Sequence, residues 1–226
     1  MSEYKIETHM HTVHTSACAH LEAAALAEGY AKAGFAAVAV TDHYSRDTFR
    51  YLHIDITRPG DMVTPFLEGW RRMAEECAKQ GIKVYKGAEL RFDECGNDYL
   101  LYNYPDELLS DPEKIFRMGI AAFAPVAHEA GALIVQAHPY RKHCTPAFAC
   151  YIDGVEVQNR NLGHENHNAR AAEYAEQFCL LGTGGSDCHR AEEIGRGGII
   201  APSLPEDDAA FVRLLRGGGY TIIGSE

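Results

Sequence analysis

Two histidines near the start of the chain, His9 and His11, are separated by a single residue. If this segment is a β-strand, both imidazoles point to the same face and can reach one metal ion. Imidazole is the commonest metal-binding side chain, but a single histidine carries little weight because most serve other purposes. The i, i+2 spacing therefore indicates a metal site more strongly than either residue does alone.

Five further polar motifs follow in order: C-A-H, T-D-H, G-A-E, A-H-P and S-D-C-H. The candidate ligands that they add are His20, His43, Glu89, His138, Asp187 and His189. Asp187 and His189 repeat the i, i+2 spacing, so that one strand end could supply two ligands. A set of imidazoles with a few carboxylates suits Zn²⁺, Mn²⁺ or Fe²⁺ better than Ca²⁺ or Mg²⁺.

The ordered set H-x-H, C-x-H, T-D-H, G-x-E, A-H-P and D-x-H resembles the PHP (polymerase and histidinol phosphatase) superfamily. The resemblance runs from Glu7 to about Gly198, nearly the whole chain. It implies one PHP-type domain over residues 1–226, folded as an α/β protein with a distorted (β/α)₇ barrel. It also implies two or three divalent metal ions at the C-terminal rim of the strands.

The same resemblance implies which residues hold each ion and which act in catalysis. The first ion would be held by His9, His11, Glu89 and Asp187, the second by His20, His43 and His189, and a third by Glu89 and His138. Glu89 would bridge two ions. The resemblance further implies catalytic roles for Glu89, Asp187 and His189.

The sequence departs from the family pattern at two ligand positions. His14 competes with His20 for one position, because the interval from His11 to His20 is longer than in some members. Between Glu89 and His128 there is no histidine; the segment that we expect to end the next strand reads Tyr102-Asn103-Tyr104. Asn103 is a poor substitute for imidazole. We therefore expect two tightly bound ions and a weaker third.

The chemistry that such a site supports is metal-assisted hydrolysis. Two ions that share a carboxylate lower the pKa of a bridging water enough to give hydroxide near neutral pH, and they neutralise charge on a phosphoryl group. Arginine binds phosphate through its fork of donors. Arg141, Arg160 and Arg196 each follow a motif at a predicted strand end, and we expect them to bind substrate; Arg190 is a weaker candidate.

Composition excludes several other classes of protein. A net charge of −11 and the lack of a basic run argue against nucleic acid as the main partner. No apolar run approaches the ~18 residues of a membrane helix, and the first residues are polar and acidic, so we expect a soluble cytoplasmic protein. The seven cysteines include no C-x-x-C pair, which argues against a zinc ribbon or a disulfide scaffold.

The elements that must position these residues alternate between helices and short apolar strands. Helices are predicted over 21–34, 63–81, 112–131, 163–177 and 205–216, and strands over 36–43, 82–89, 132–138, 153–159, 179–187 and 220–224. This alternation favours parallel βαβ units. The polar motifs fall at the ends of the strands, where such sheets assemble their sites.

We therefore expect a phosphoesterase that acts on a small phosphorylated metabolite, a phosphomonoester or a cyclic ester. Two other classes stay open from the sequence. A non-catalytic metal-binding domain would have eroded motifs, and here only one ligand position is eroded. A hydrolase of C–N or C–O bonds would use similar metals.

Overall fold

The computed structural model describes residues 3–224. The strands are β1 (Tyr4–Met10), β2 (Phe35–Val40), β3 (His43–Tyr44), β4 (Lys83–Arg91), β5 (Asp98–Tyr102), β6 (Leu133–Gln136), β7 (Gly154–Asn159), β8 (Leu181–Gly185), β9 (Ile199–Ala201) and β10 (Thr221–Ile222). The α-helices are α1 (Ala23–Lys32), α2 (Arg46–Tyr51), α3 (Val63–Phe66), α4 (Glu68–Lys79), α5 (Pro112–Glu129), α6 (Asn168–Phe178) and α7 (Asp208–Gly217). None of these helices is long and apolar enough to cross a membrane.

The strands form one sheet that curls into a nearly closed barrel. Its order is β10-β9-β1-β2-β4-β5-β6-β7-β8, with the short β3 paired to β4. The two ends of the seven-strand ring meet where a parallel bridge joins Met10 of β1 to Cys188 just after β8. The His11 amide donates to the Cys188 carbonyl at 3.0 Å across this seam. The expectation of an α/β fold with a distorted barrel is confirmed.

The expectation of parallel βαβ units throughout is wrong for part of the sheet. Strand β5 runs antiparallel to both β4 and β6, and β9 runs antiparallel to β1 and β10. Only six residues separate β4 from β5, too few for a crossover helix, so the chain turns back on itself. Because β5 is reversed, its first residue, Asp98, lies beside the end of β4, whereas its last residue, Tyr102, lies farther from that end.

One end of the barrel is closed by α7. The Phe211 ring stacks on Tyr85 with centroids 4.5 Å apart and contacts Tyr102 edge-on. Asp207 begins this helix by accepting from the Ala210 amide at 2.7 Å. Tyr85 lies near the start of β4 and Tyr102 at the end of the reversed β5, so α7 covers the barrel end opposite to Glu89. The other end stays open to solvent.

Helix α6 begins five residues later than the predicted start at Gly163. His167 adopts a left-handed φ of 51°, which interrupts helical geometry immediately before Asn168. The preceding residues form a loop against the end of β7, where the side-chain amide of Asn166 donates to the Asn159 carbonyl at 3.2 Å. This loop forms one wall of the open end of the barrel.

Candidate metal centre

The H-x-H motif lies at the end of β1, inside the barrel. His9 and His11 are both fully buried, and their Nε2 atoms are 3.1 Å apart. Gly185 packs directly against His9, and a Cβ at position 185 would collide with the His9 side chain. Glycine at the end of β8 therefore allows the two strands to approach closely. Both imidazoles point to one face, as the spacing predicts.

Glu89, at the end of β4, lies at the centre of the histidines. Its carboxylate is 2.6 Å from His43 Nδ1, 3.0 Å from His138 Nε2 and 3.4 Å from His9 Nε2. It also lies 3.5 Å from His11 Nε2, and it is fully buried. A carboxylate in this position can contact more than one cation.

The potential ligand atoms fall into three groups, each with atoms within 4.8 Å of one another. The groups are His11, His43 and His189; His9, His11 and Glu89; and Glu89, Asp98 and His138. Asp187 adjoins them, with Oδ1 3.2 Å from His11 Nε2 and 3.5 Å from His9 Nε2. These eight residues are called the histidine–carboxylate cluster below. Shared members, His11 and Glu89, link the three groups.

Buried carboxylates outside the cluster hold its histidines in place. Glu156 lies 3.0 Å from His9 Nδ1, and its second oxygen accepts from the His138 amide at 3.1 Å. A carboxylate on one ring nitrogen fixes the tautomer and leaves the other nitrogen free for a metal. Glu7 is also buried; it accepts from the His9 amide at 3.1 Å and from the Ser186 hydroxyl at 2.6 Å.

Two cluster residues have left-handed backbones, which are unusual for residues other than glycine. His138 has a φ of 30° and Asp187 a φ of 51°. Each follows the end of a strand, β6 or β8, and turns its side chain into the barrel. Backbone strain of this kind persists where the surroundings fix it and concentrates at functional sites.

Electrostatics inside the cluster favour ionised carboxylates. Burial would raise the pKa of Glu89, but the neighbouring His43 and His9 outweigh burial and hold that pKa well below its usual range. Burial lowers the pKa of His9, but Glu156, Asp187 and Glu89 bring it well above the usual value. The pKa of His11 is lowered well below its usual value by burial and by the nearby His189 and His43. Neutral His11 keeps a lone pair for a cation.

The donor set fits divalent metal ions. Glu89 Oε2 is buried and accepts no hydrogen bond of normal geometry within the described chain, even though His43 Nδ1 lies 2.6 Å away. An unsatisfied buried carboxylate oxygen is costly unless a cation balances it. His189 Nδ1 lies 2.8 Å from the Asp187 carbonyl, so its Nε2 is free as a ligand atom. Imidazole nitrogens and carboxylate oxygens together are suited to zinc, manganese or iron.

Neither His20 nor His14 belongs to the three ligand groups. The His20 side chain is exposed; its backbone amide, not its imidazole, reaches the site by donating to the His189 carbonyl at 2.9 Å. His14 Nε2 accepts from the Ala23 amide at 3.3 Å and lies 3.1 Å from Glu22. It thereby satisfies a free amide in the first turn of α1.

This placement gives a direct test of the ligand register. We expect His20→Ala to keep its full metal content, because the imidazole lies outside the cluster. We expect His14→Ala to keep its metal too but to lose about 1 kcal/mol of stability, the usual cost of a lost helix cap. Elemental analysis and thermal unfolding would measure both effects, with His11→Ala as the variant that loses metal. Loss of one ion from His20→Ala would restore the assignment that the family resemblance implies.

Of the three arginines expected to bind substrate, only Arg141 faces the cluster. Its Nη2 donates to Asp187 Oδ2 at 2.7 Å and to Asn159 Oδ1 at 3.0 Å, while Nε donates to Asn166 Oδ1 at 2.9 Å. Arg196 is exposed and lies outside the cavity. Arg160 turns away because of a bulge in β7 between Glu156 and Gln158, and its guanidinium lies against Gly224.

The sequence analysis missed Asp98 and Glu156. Asp98 is 2% exposed and opens β5, so the reversed strand places it at the rim where the expected ligand was sought around Asn103. The Asn103 side chain instead donates to the Gly131 carbonyl at 3.0 Å, away from the cluster. Asp98 could have been found from the short interval after Glu89, which predicts a hairpin. Glu156 had a signal in its strand, since a charged residue in an apolar run is rarely buried without a partner.

The cluster forms the floor of a cavity of about 460 Å³, a volume suited to a small molecule. His43, His138, Asp187 and His189 line it on the metal side. Arg141, Lys142 and Arg190 line its walls, together with the exposed His164. The cavity thus combines a metal-binding floor with cationic walls.

A family model for the PHP domain matches residues 7–189 of the chain, and a model described as PHP-associated matches residues 165–218. The first match covers most of the chain and every residue of the histidine–carboxylate cluster. The chain therefore belongs to the PHP domain family, whose members are metal-dependent. No curated protein matches the chain.

Solved structures share this fold at low sequence identity. A two-domain protein from Bacteroides vulgatus, with a predicted PHP-like metal-dependent phosphoesterase, superposes with a TM-score of 0.73 at 16% identity. The match covers 98% of this chain but 64% of that protein. PsfC from Pseudomonas syringae gives 0.67 at 19% identity, covering 95% and 88% of the two chains. An amidohydrolase from Chromobacterium violaceum gives 0.59 at 14%, covering 93% and 95%. These structures share the fold of this chain.

Proposed function

We propose that the protein is a metal-dependent phosphoesterase that hydrolyses a small phosphorylated metabolite. The observation that carries the proposal is the cavity: its floor is the histidine–carboxylate cluster, and Arg141, Lys142 and Arg190 stand on its walls. A phosphate group needs both features, cations at its non-bridging oxygens and forked donors around it. The chain as a whole has a net charge of −11, so a cationic wall here is a local feature.

Different residues of the cluster would bind each of two ions. Glu89 would be shared, with His9 and Asp187 on one side and His43 and His189 on the other. When bound, the ions supply Lewis acidity toward a phosphoryl oxygen and activate water for attack. His11 lies in two of the three ligand groups, so it would lie beside both ions. Burial of His9, His11 and Glu89 keeps solvent from competing for the ligand atoms.

Arg141 would bind the phosphate and orient a ligand at the same time. Its Nη2 is engaged by Asp187 and Asn159, whereas no group in the described chain accepts from Nη1. The asparagine and aspartate contacts fix the plane of the guanidinium, so Nη1 is presented in one orientation. A preorganised donor of this kind loses little entropy when an anion binds.

A substrate panel tests the proposal. The metal-loaded protein is assayed with phosphomonoesters, cyclic phosphodiesters, amides and lactones of similar size. We expect release of phosphate or opening of the cyclic phosphodiester, with little turnover of the uncharged substrates. Turnover confined to amides or lactones would favour the activity named for the Chromobacterium violaceum neighbour. Tight metal binding without any turnover would favour a non-catalytic metal-binding domain.

Replacing Arg141 by lysine separates the two roles of its guanidinium. The charge stays but the fork is lost, and we expect kcat/KM for a phosphorylated substrate to fall ~10- to 100-fold, equivalent to about 1.5–3 kcal/mol. Arg160→Lys and Arg196→Lys are matched controls that we expect to keep full activity, because both side chains lie outside the cavity. Steady-state kinetics and metal content are measured together. An Arg141→Lys enzyme as active as the controls would contradict a phosphate contact.

A further inference from the structure

Cys18 lies on the loop that carries the chain from the end of β1 to α1. Two sets of hydrogen bonds fix this loop on the cluster. Before Cys18, the Ser16 hydroxyl donates to Asp42 Oδ1 at 2.7 Å and accepts from the His43 amide at 3.0 Å. After Cys18, the His20 amide donates to the His189 carbonyl at 2.9 Å. These bonds hold the segment that contains Cys18 beside His43, which follows β2, and His189, which follows β8.

The Cys18 side chain lies beside two members of the ligand group made by His11, His43 and His189. It lines the same cavity as His43 and His189. The rings of His43 and His189 both pack against His11, each with its centroid 4.3 Å from that of His11. Cys18 is exposed, so it approaches these imidazoles from the cavity, whereas Glu89 approaches from the buried side.

The other cysteines near the site have different surroundings. The Cys144 thiol donates to the Gly96 carbonyl at 3.3 Å and lies 3.9 Å from a single imidazole, His138. Cys188 is buried and donates to the Arg190 carbonyl at 3.4 Å. Among the cysteines that the structure describes, Cys18 is the one that lines the cavity beside two imidazoles of the same ligand group.

We propose that Cys18 is a thiolate ligand of the metal ion held by His11, His43 and His189, in the position that the family resemblance gives to His20. The imidazoles, the shared Glu89 carboxylate and the Cys18 thiolate would together supply nitrogen, oxygen and sulfur donors of the kinds that zinc binds. As the sulfur–metal bond forms, the thiol proton passes to solvent. A soft sulfur ligand favours Zn²⁺ or Fe²⁺ over Mn²⁺ at this position. The inference rests on the metal centre proposed above.

Cobalt substitution tests the assignment without reference to activity. The metal-free protein, Cys18→Ser and the control Cys150→Ser, whose cysteine is exposed and outside the cavity, are each titrated with Co²⁺. We expect visible d–d bands in all three. We expect a near-ultraviolet sulfur-to-cobalt charge-transfer band in the wild type and in Cys150→Ser, and its complete loss in Cys18→Ser.

The possible failures are distinguishable. A charge-transfer band that persists in Cys18→Ser, or cobalt d–d bands without any charge-transfer band in the wild type, would overturn the Cys18 assignment and leave the metal centre standing. A wild-type protein that gives no cobalt spectrum at all would overturn the centre and Cys18 with it. Competition between Zn²⁺ and Mn²⁺ provides a second measurement: the ratio of bound manganese to zinc rises in Cys18→Ser if sulfur is a ligand, and an unchanged ratio argues against it.

Discussion

Replacing Glu89 by glutamine is expected to lower kcat/KM by about 10³-fold or more while the protein still folds. The carboxylate lies within 3.5 Å of four histidines. Losing its charge would weaken the binding of two ions and change the distance between them. Lewis-acid stabilisation is worth several kcal/mol, and about 4 kcal/mol corresponds to a thousandfold change in rate. Glutamine has nearly the same shape, so packing around β4 should persist.

The measurements for Glu89→Gln are metal content, hydrolysis rate and circular dichroism. Glu176→Gln, an exposed position on α6, serves as the matched control and should behave as wild type. We expect the Glu89 variant to bind at least one ion fewer at the same free metal concentration, with an unchanged helix and strand signal. If Glu89→Gln keeps most of its activity, a mechanism with a shared carboxylate is wrong, whatever the identity of the metal.

Sequence reasoning identified the family, the barrel and the strand-end position of the polar motifs because each has a local signature. The spacing of His9 and His11 indicates that both lie on one face of a strand. The runs before Thr41, Gly87 and Ala137 indicate strands. The end of α4 could be predicted because Gly81, which follows it with a φ of 71°, is a local stop signal; the start could not, because Leu67 provides no side-chain cap. These signals can be recognised in a single sequence without knowledge of long-range contacts.

Sequence reasoning failed where direction or side-chain orientation depends on pairing between distant segments. Because β5 is reversed, Asp98 and not Asn103 lies at the rim. The periodicity of a sequence does not indicate the direction of a strand. The bulge in β7 sends Arg160 away from the cavity while Glu156 and Asn159 turn inward, since one extra residue changes the alternation. The loop with Cys18 and His20 is positioned by hydrogen bonds to β8 that no motif encodes.

Removing the metal ions is expected to destabilise the whole barrel, because the cluster brings buried charges together that only cations or protons can balance. Glu89, Asp187 and Glu156 are all at most 1% exposed, and each lies beside His9. A ligand that binds only the folded state at about a thousand times its Kd adds roughly 4 kcal/mol of stability. For a chain of this size, each such ion should raise Tm by about 10 °C.

Thermal unfolding with and without a chelator would measure this effect, and readdition of Zn²⁺ should reverse it. A chelator that leaves Tm unchanged while metal content falls to zero would show that the cluster is stable without ions. That result would contradict the argument from Glu89 Oε2, the buried oxygen without a normal hydrogen bond.

The number of tight ions follows from the pairing of Asp98. In the group of Glu89, Asp98 and His138, Arg91 donates to both oxygens of Asp98, at 2.7 Å and 2.5 Å. A carboxylate held by a bidentate guanidinium has little charge left for a cation. We therefore expect elemental analysis to find two tight ions and a third that dialysis removes. Arg91→Met should strengthen binding of the third ion by releasing Asp98. Three equally tight ions in the wild type, or a third site that Arg91→Met leaves unchanged, would show that the guanidinium does not control this site.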